Sequence, residues 1–191
     1  MERRTREMRM RCAVFALCTA VALPVFGADF KRSEVFGVVG VGKTYDDEGS
    51  LGTGINGGGG FGYRLSRRFG VEAEVNVFRT RREFSSQFPP FEADGAHVMG
   101  SGLLYLTQGR GQAYLIFGGG LQHVHVASGF GGPVGRSGTG GAINFGGGVK
   151  IFVSPRVSLR PDLRIFSGGS GSAVEPPFSV IRISGGVGYH W

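Results

Sequence analysis

The sequence holds eight stretches in which apolar and polar side chains alternate, and their connections run long, short, long, short, long, short, long. A period of two belongs to the β-strand, whose successive side chains point to opposite faces. The final stretch, FSVIRISGGVGYHW over 178–191, shows it best. Ile181, Ile183, Val187, Tyr189 and Trp191 share one parity, and Arg182, Ser184 and His190 share the other. This strand has a greasy side and a wet side, and it ends on an aromatic rather than a polar tail. A last strand that must find a partner, and that ends on an interfacial aromatic, suits a barrel closing in a membrane.

The other stretches fit the same object. Strands are expected over 35–44, 54–65, 69–78, about 97–107, about 112–126, 142–153 and 157–166. These lengths are close to the roughly 9–11 residues that a tilted strand needs to cross hydrocarbon. In the third, Phe69, Val71, Ala73, Val75 and Val77 oppose Glu72, Glu74 and Asn76. In the seventh, Val157, Leu159, Leu163 and Ile165 oppose Ser158, Arg160, Asp162 and Arg164, with Pro161 an exception that removes a ladder donor. The parity of the fourth does not follow from its residues. Long connections are expected over 45–53, 79–95, 127–140 and 167–177, and tight turns at 66–68, 108–111 and 154–156. A membrane barrel has this pattern of long outer loops and short periplasmic turns, and an even strand count returns both ends to the periplasm. The expected fold is all-β, an eight-stranded antiparallel up-and-down transmembrane barrel.

Residues 1–28 read as a signal peptide. Five Arg and two Glu precede a short apolar run interrupted by Pro24, too short for a comfortable transmembrane helix. Cleavage is expected after Gly27 or Ala28, leaving 29–191 as the barrel domain. Both cysteines, Cys12 and Cys18, fall in the leader, so no disulfide, thiol chemistry or Cys-bound metal is expected. The leader also carries three of the seven net positive charges, which weakens any case for a nucleic-acid partner. The 37 glycines have no three-residue period, which excludes collagen.

Arg64, Glu72, Glu74, Lys150, Arg160, Asp162, Arg164 and Arg182 all fall on the parity opposite the apolar one. Eight strands enclose an interior that side chains fill. Charges there must pair, because an unpaired buried charge costs several kcal/mol. Glu72 and Glu74 are therefore expected to meet Arg160, Arg164 or Arg182.

YRLSRRFGVEAEV (63–75), GGGVKIFVSPRVSLRPDLRIF (146–166) and the closing GGVGYHW resemble the OmpA-type outer membrane protein β-barrel family of Gram-negative bacteria. The resemblance runs over essentially the whole mature chain and is specific for fold and compartment, not for an activity. It implies a location in outer-membrane lipid and recognition of the last strand by the barrel assembly machinery. Tyr189 and Trp191 would carry that signal, Trp191 standing where Phe is commoner. A monomer is expected. The sequence stops at the barrel, so the peptidoglycan-binding domain that tethers some relatives is not expected.

Other motifs carry less. GVVGVGKT over 37–44 matches G-x-x-x-x-G-K-[ST], but a phosphate loop needs a helix after it and none is expected downstream, so no nucleotide cofactor is expected. His123 and His125 share one face of the fifth strand without a third ligand, so no metal is expected. Ser128 follows His125 with no catalytic motif around it, and no catalytic residue is expected. Phe84, Phe88 and Phe91, with Pro89 and Pro90, give the second outer loop an aromatic character that serves either an extracellular contact or packing on the rim and lipid headgroups. Asp46, Asp47 and Glu48 leave a cation site in the first loop open. The function expected is a structural or interaction role at the cell surface, its extracellular ligand unspecified. A narrow porin-like pore and a barrel-embedded lipid-modifying enzyme are the alternatives.

Overall fold

Hydrocarbon offers no hydrogen bonds, so strands that cross it must be paired along both edges. The chain meets this by closing on itself. The computed structural model describes residues 31–46, 49–82, 91–128, 136–168 and 178–191. The expected signal peptide with Cys12 and Cys18 lies outside the described residues, as do Asp47, Glu48, Phe84, Phe88, Pro89 and Pro90.

The strands are β1 (Ser33–Asp46), β2 (Gly49–Arg64), β3 (Phe69–Arg82), β4 (Phe91–Tyr105), β5 (Gly111–Ser128), β6 (Arg136–Phe152), β7 (Val157–Leu159), β8 (Asp162–Gly168) and β9 (Phe178–His190). Pairing is antiparallel throughout, β7 and β8 both lie between β6 and β9, and β9 returns to β1 from Glu34↔His190 to Tyr45↔Ser179. The ring therefore has eight staves, β7 and β8 forming one of them.

Pro161 explains the break in that stave. Arg160 N–H donates to the Gly186 carbonyl at 2.8 Å and its carbonyl accepts from Gly186 N–H at 3.0 Å, so pairing to β9 is intact. On the β6 side Val149 N–H donates to the Pro161 carbonyl at 3.0 Å, and the return bond is lost because proline has no N–H. One ladder bond goes, and the stave continues.

The strands run further than the sequence pattern indicates. β1 and β2 pair as far as Asp46↔Gly49, and β3 and β4 as far as Arg82↔Phe91. Much of what reads as loop over 45–53 and 79–95 is thus strand, and Phe91 begins β4 rather than sitting in a loop. Backbone pairing does not need apolar side chains. Beyond the greasy band the outward positions turn polar (Lys43, Arg79, Arg81, His123, Ser137 and Thr139) and reach water while the ladder goes on.

Alternation sorts the side chains. Val39, Ile55, Phe117 and Ile183 are 62–70% exposed, whereas Arg160 and Arg164 are fully buried. A soluble protein would have the reverse, so the outside is a hydrocarbon-facing surface. β4 points His97, Met99, Ser101, Leu103 and Tyr105 inward and Val98 and Leu104 outward. Two small apolar clusters lie inside, Met99–Ala142–Phe166–Val180 towards the long-loop end and Leu103–Tyr105–Tyr114–Ile116 towards the turns. Between them lies a layer of ions.

Val75 sits outward within the band of β3. Val75→Arg is expected to cost about 2–4 kcal/mol in reversible urea unfolding from lipid vesicles. At an ordinary water-exposed site the change would stay within about 0.5 kcal/mol.

Candidate functional site

The period of two brings Arg160 and Arg164 inward from the β7–β8 stave, Arg182 inward from β9, and Glu72 and Glu74 inward from β3 across the lumen. Arg160 Nη2 lies 2.5 Å from Glu72 Oε2, and Arg164 Nη2 lies 3.0 Å from Glu72 Oε1. Arg164 Nη1 lies 2.7 Å from Glu74 Oε2, and Arg182 Nη1 lies 2.5 Å from Glu74 Oε1. Asp162 accepts from Arg164 Nη2 at 2.9 Å and from the Ser184 hydroxyl. One carboxylate thus bridges two guanidiniums twice over, and the side chains form a single cross-lumen net.

The net extends towards the turns. Lys150 Nζ donates to Glu34 and, at 3.2 Å, to Tyr105 Oη, and Arg160 Nε donates to Tyr114 Oη at 2.9 Å. Lys150, Arg160, Arg164 and Arg182 face Glu34, Glu72, Glu74 and Asp162, so the layer is electrically balanced. Balance matters because each buried ion forfeits several kcal/mol of hydration, which only close pairing and hydrogen bonding offset. Residues without side chains make the room. A Cβ at Gly60 would stand 2.7 Å from Phe36 Cζ, and the Phe36 ring carries the Arg160 guanidinium 4.1 Å from its centroid. A Cβ at Gly148 would stand 2.6 Å from Tyr114 Oη.

Arg64 lies at the turn-end margin of this net, on the ring of Tyr105 that Lys150 also reaches. It is half-buried at the turn end, its guanidinium 3.9 Å from the Tyr105 ring centroid, and it donates to the Arg67 carbonyl at 3.4 Å. Glu34 is the member that sequence reasoning misses. Over 35–42 both parities are apolar or glycine, so nothing marks Glu34, one residue before that stretch, as facing inward; Phe36 and Val38 are inside while Val39 and Val41 are outside. Tyr189 and Trp191 lie outward at the turn end, ring centroids 6.1 Å apart, with Phe61 6.1 Å from Trp191. His123 and His125 lie on the outer face above the band, and His123 Nδ1 is 2.7 Å from Thr139 Oγ1. His97 is buried between Phe78 and Phe166, 4.8 and 4.7 Å from their centroids. The 37–44 motif is strand paired with β2 and β9 on its two sides, so its amides serve the ladders and do not converge on an anion. Of the expected outer aromatic contact, Phe84 and Phe88 lie outside the described residues and Phe91 belongs to β4.

Among the described residues a cavity lies on each side of the ion layer. The one nearer the long loops is lined by Thr44, Asn56, Thr80, His97, Phe166 and Arg182, and the one nearer the turns by Glu34, Arg64, Tyr105, Gln112, Lys150 and His190. Chemically the layer is a band of paired ions across the lumen.

Residues 13–190 match the model of the outer membrane protein beta-barrel domain. Among solved structures the chain is similar to Neisserial surface protein A, with a TM-score of 0.68 and 18% identity, covering 83% of this chain and 97% of that one. It is also similar to Ail, the attachment invasion locus protein of Yersinia pestis, with a TM-score of 0.51, 16% identity and coverage of 85% and 100%. The N-terminal β-barrel domain of Pseudomonas aeruginosa OprF gives 0.51, 13%, 84% and 98%. At these identities the likeness is one of fold. No curated protein sequence matches.

Glu72→Gln leaves two buried guanidiniums short of a counter-charge and is expected to destabilise the barrel by about 3–5 kcal/mol. Denaturant titration in vesicles, read by heat-modifiable gel mobility, measures it.

Proposed function

We propose, for a chain that belongs to the outer membrane protein β-barrel domain family and resides in the outer membrane, a structural and surface-interaction role with a closed lumen and no catalysis. The observation that carries it is the ion layer: Arg160, Arg164 and Arg182 are at most 2% exposed and each is held by carboxylates from another stave. An ion crossing the barrel would have to break those pairs. The outer end fits contact with other molecules, since the strands project beyond the greasy band and carry Lys43, Arg79 and Arg81 into water. The similarity to Ail, described as an attachment invasion locus protein and also seen in complex with the heparin analogue sucrose octasulfate, supports a surface contact as the line to follow. The exposed His123 and His125 are read as part of the polar rim.

A narrow pore is the second reading. The cavities on either side of the ion layer favour it, because each reaches that layer, the upper at Arg182 and the lower at Glu34 and Lys150. Recording from the purified protein in planar bilayers distinguishes the two. The closed reading predicts no unitary current steps, and reproducible steps of one size would establish the pore instead.

A further inference from the structure

The exposed side chains at the turn end of the barrel carry charge of one sign. Three connections close the staves there, 65–68, 106–110 and 153–156, and each carries arginine: Arg67 and Arg68, Arg110, and Arg156. Lys31 and Arg32 bring the same charge to the start of β1. Among the described residues these segments hold no Asp or Glu, and the nearest acid, Glu34, is buried and held by Lys150. The opposite rim is mixed, with Arg79 3.6 Å from Glu92 and 3.5 Å from Asp94, and Arg81 3.6 Å from Glu92.

Two of the turns are built alike. In LSRRF the Ser66 hydroxyl accepts from the amides of Arg68 and Phe69 at 3.3 and 3.1 Å, and in VSPRV the Ser154 hydroxyl accepts from those of Arg156 and Val157 at 3.3 and 3.1 Å. Both leave the arginine exposed at the last position of the turn. In an eight-stave ring the four basic segments recur at every second stave. Their level is set by the aromatic side chains beside them: Tyr189, Trp191 and Phe61 cluster there, and Arg156 Nη1 donates to Tyr189 Oη at 3.5 Å. Aromatics of this kind mark the headgroup boundary.

We infer that this ring is a seat for anionic phospholipid headgroups of the periplasmic leaflet, the exposed guanidiniums taking their phosphates. Guanidinium matches phosphate as a bidentate donor. Turns this short offer little surface for docking a folded partner, whereas arginines spread round the whole circumference at headgroup depth suit a shell of lipids.

Trp191, the only tryptophan in the sequence, reports from inside the ring. The protein is refolded into phosphatidylcholine vesicles containing phosphatidylglycerol, with either lipid brominated on its acyl chains, and Trp191 quenching gives the relative affinity of the two. The expected result is a preference of about threefold or more for phosphatidylglycerol. It should fall to parity in K31Q/R32Q/R67Q/R68Q/R110Q/R156Q and, in the unmodified protein, as NaCl rises from about 0.05 to 1 M. Heat-modifiable mobility checks that the variant folds, and the salt series needs no variant. Equal quenching by both lipids, or a preference that survives both manipulations, overturns the inference. So does equal quenching accompanied by arginine-dependent crosslinking of an acidic periplasmic polypeptide, which would assign the ring to a protein.

Discussion

Hydrocarbon around the outside governs everything else in this molecule. It offers the backbone no partner, so every stave must pair on both edges and the sheet must close. It also cannot hold an ion cheaply, so charges needed for any purpose must lie inside or beyond the band. Both consequences are visible in one strand. In β3, Phe69 to Val77 turn valines and a phenylalanine outward while Glu72 and Glu74 turn inward, and from Arg79 onward the outward residues become charged.

Closing eight staves leaves a lumen too narrow for bulk water, and the ions must solve each other's solvation. They do so by sharing. Glu72 and Glu74 each serve two arginines, Asp162 draws on Arg164 and Ser184, and Tyr114 and Tyr105 supply hydroxyl acceptors for Arg160 and Lys150. Apolar clusters lie above and below the layer. On the reading proposed above, a lumen crossed by such a net is closed, and contact with other molecules falls to the ends of the barrel. The two ends differ: the outer rim mixes signs, and the turn rim does not.

Much of this was legible wherever a strand has one greasy parity and one polar parity. The β3, β7–β8 and β9 residues announced their inward ions, and the tight turns announced themselves through Ser, Pro and Gly. Legibility failed for three physical reasons. In β1 and β4 the lumen itself is partly apolar, so Phe36, Val38, Met99 and Leu103 point inward and blur the alternation that would have exposed Glu34. Strand ends beyond the membrane lose the outward apolar residues, so Arg79–Arg82 and Phe91–Asp94 look like loop although they pair. And Pro161 stands within its expected strand as an exception whose reason the sequence does not carry; the pairing supplies it, since the missing N–H faces only β6 and a single ladder bond is lost.

The most direct measurement places a nitroxide at each position from 69 to 77 in turn, in lipid vesicles. Cys12 and Cys18 lie before residue 29, so a chain produced from residue 29 offers each introduced cysteine alone. Collision with oxygen, which concentrates in hydrocarbon, is compared with collision with a water-soluble nickel chelate. A strand with lipid on one side and the ion layer on the other gives high oxygen and low nickel collision at the odd positions and little of either at the even ones. Nickel collision dominating the odd positions, or no period of two, would contradict it.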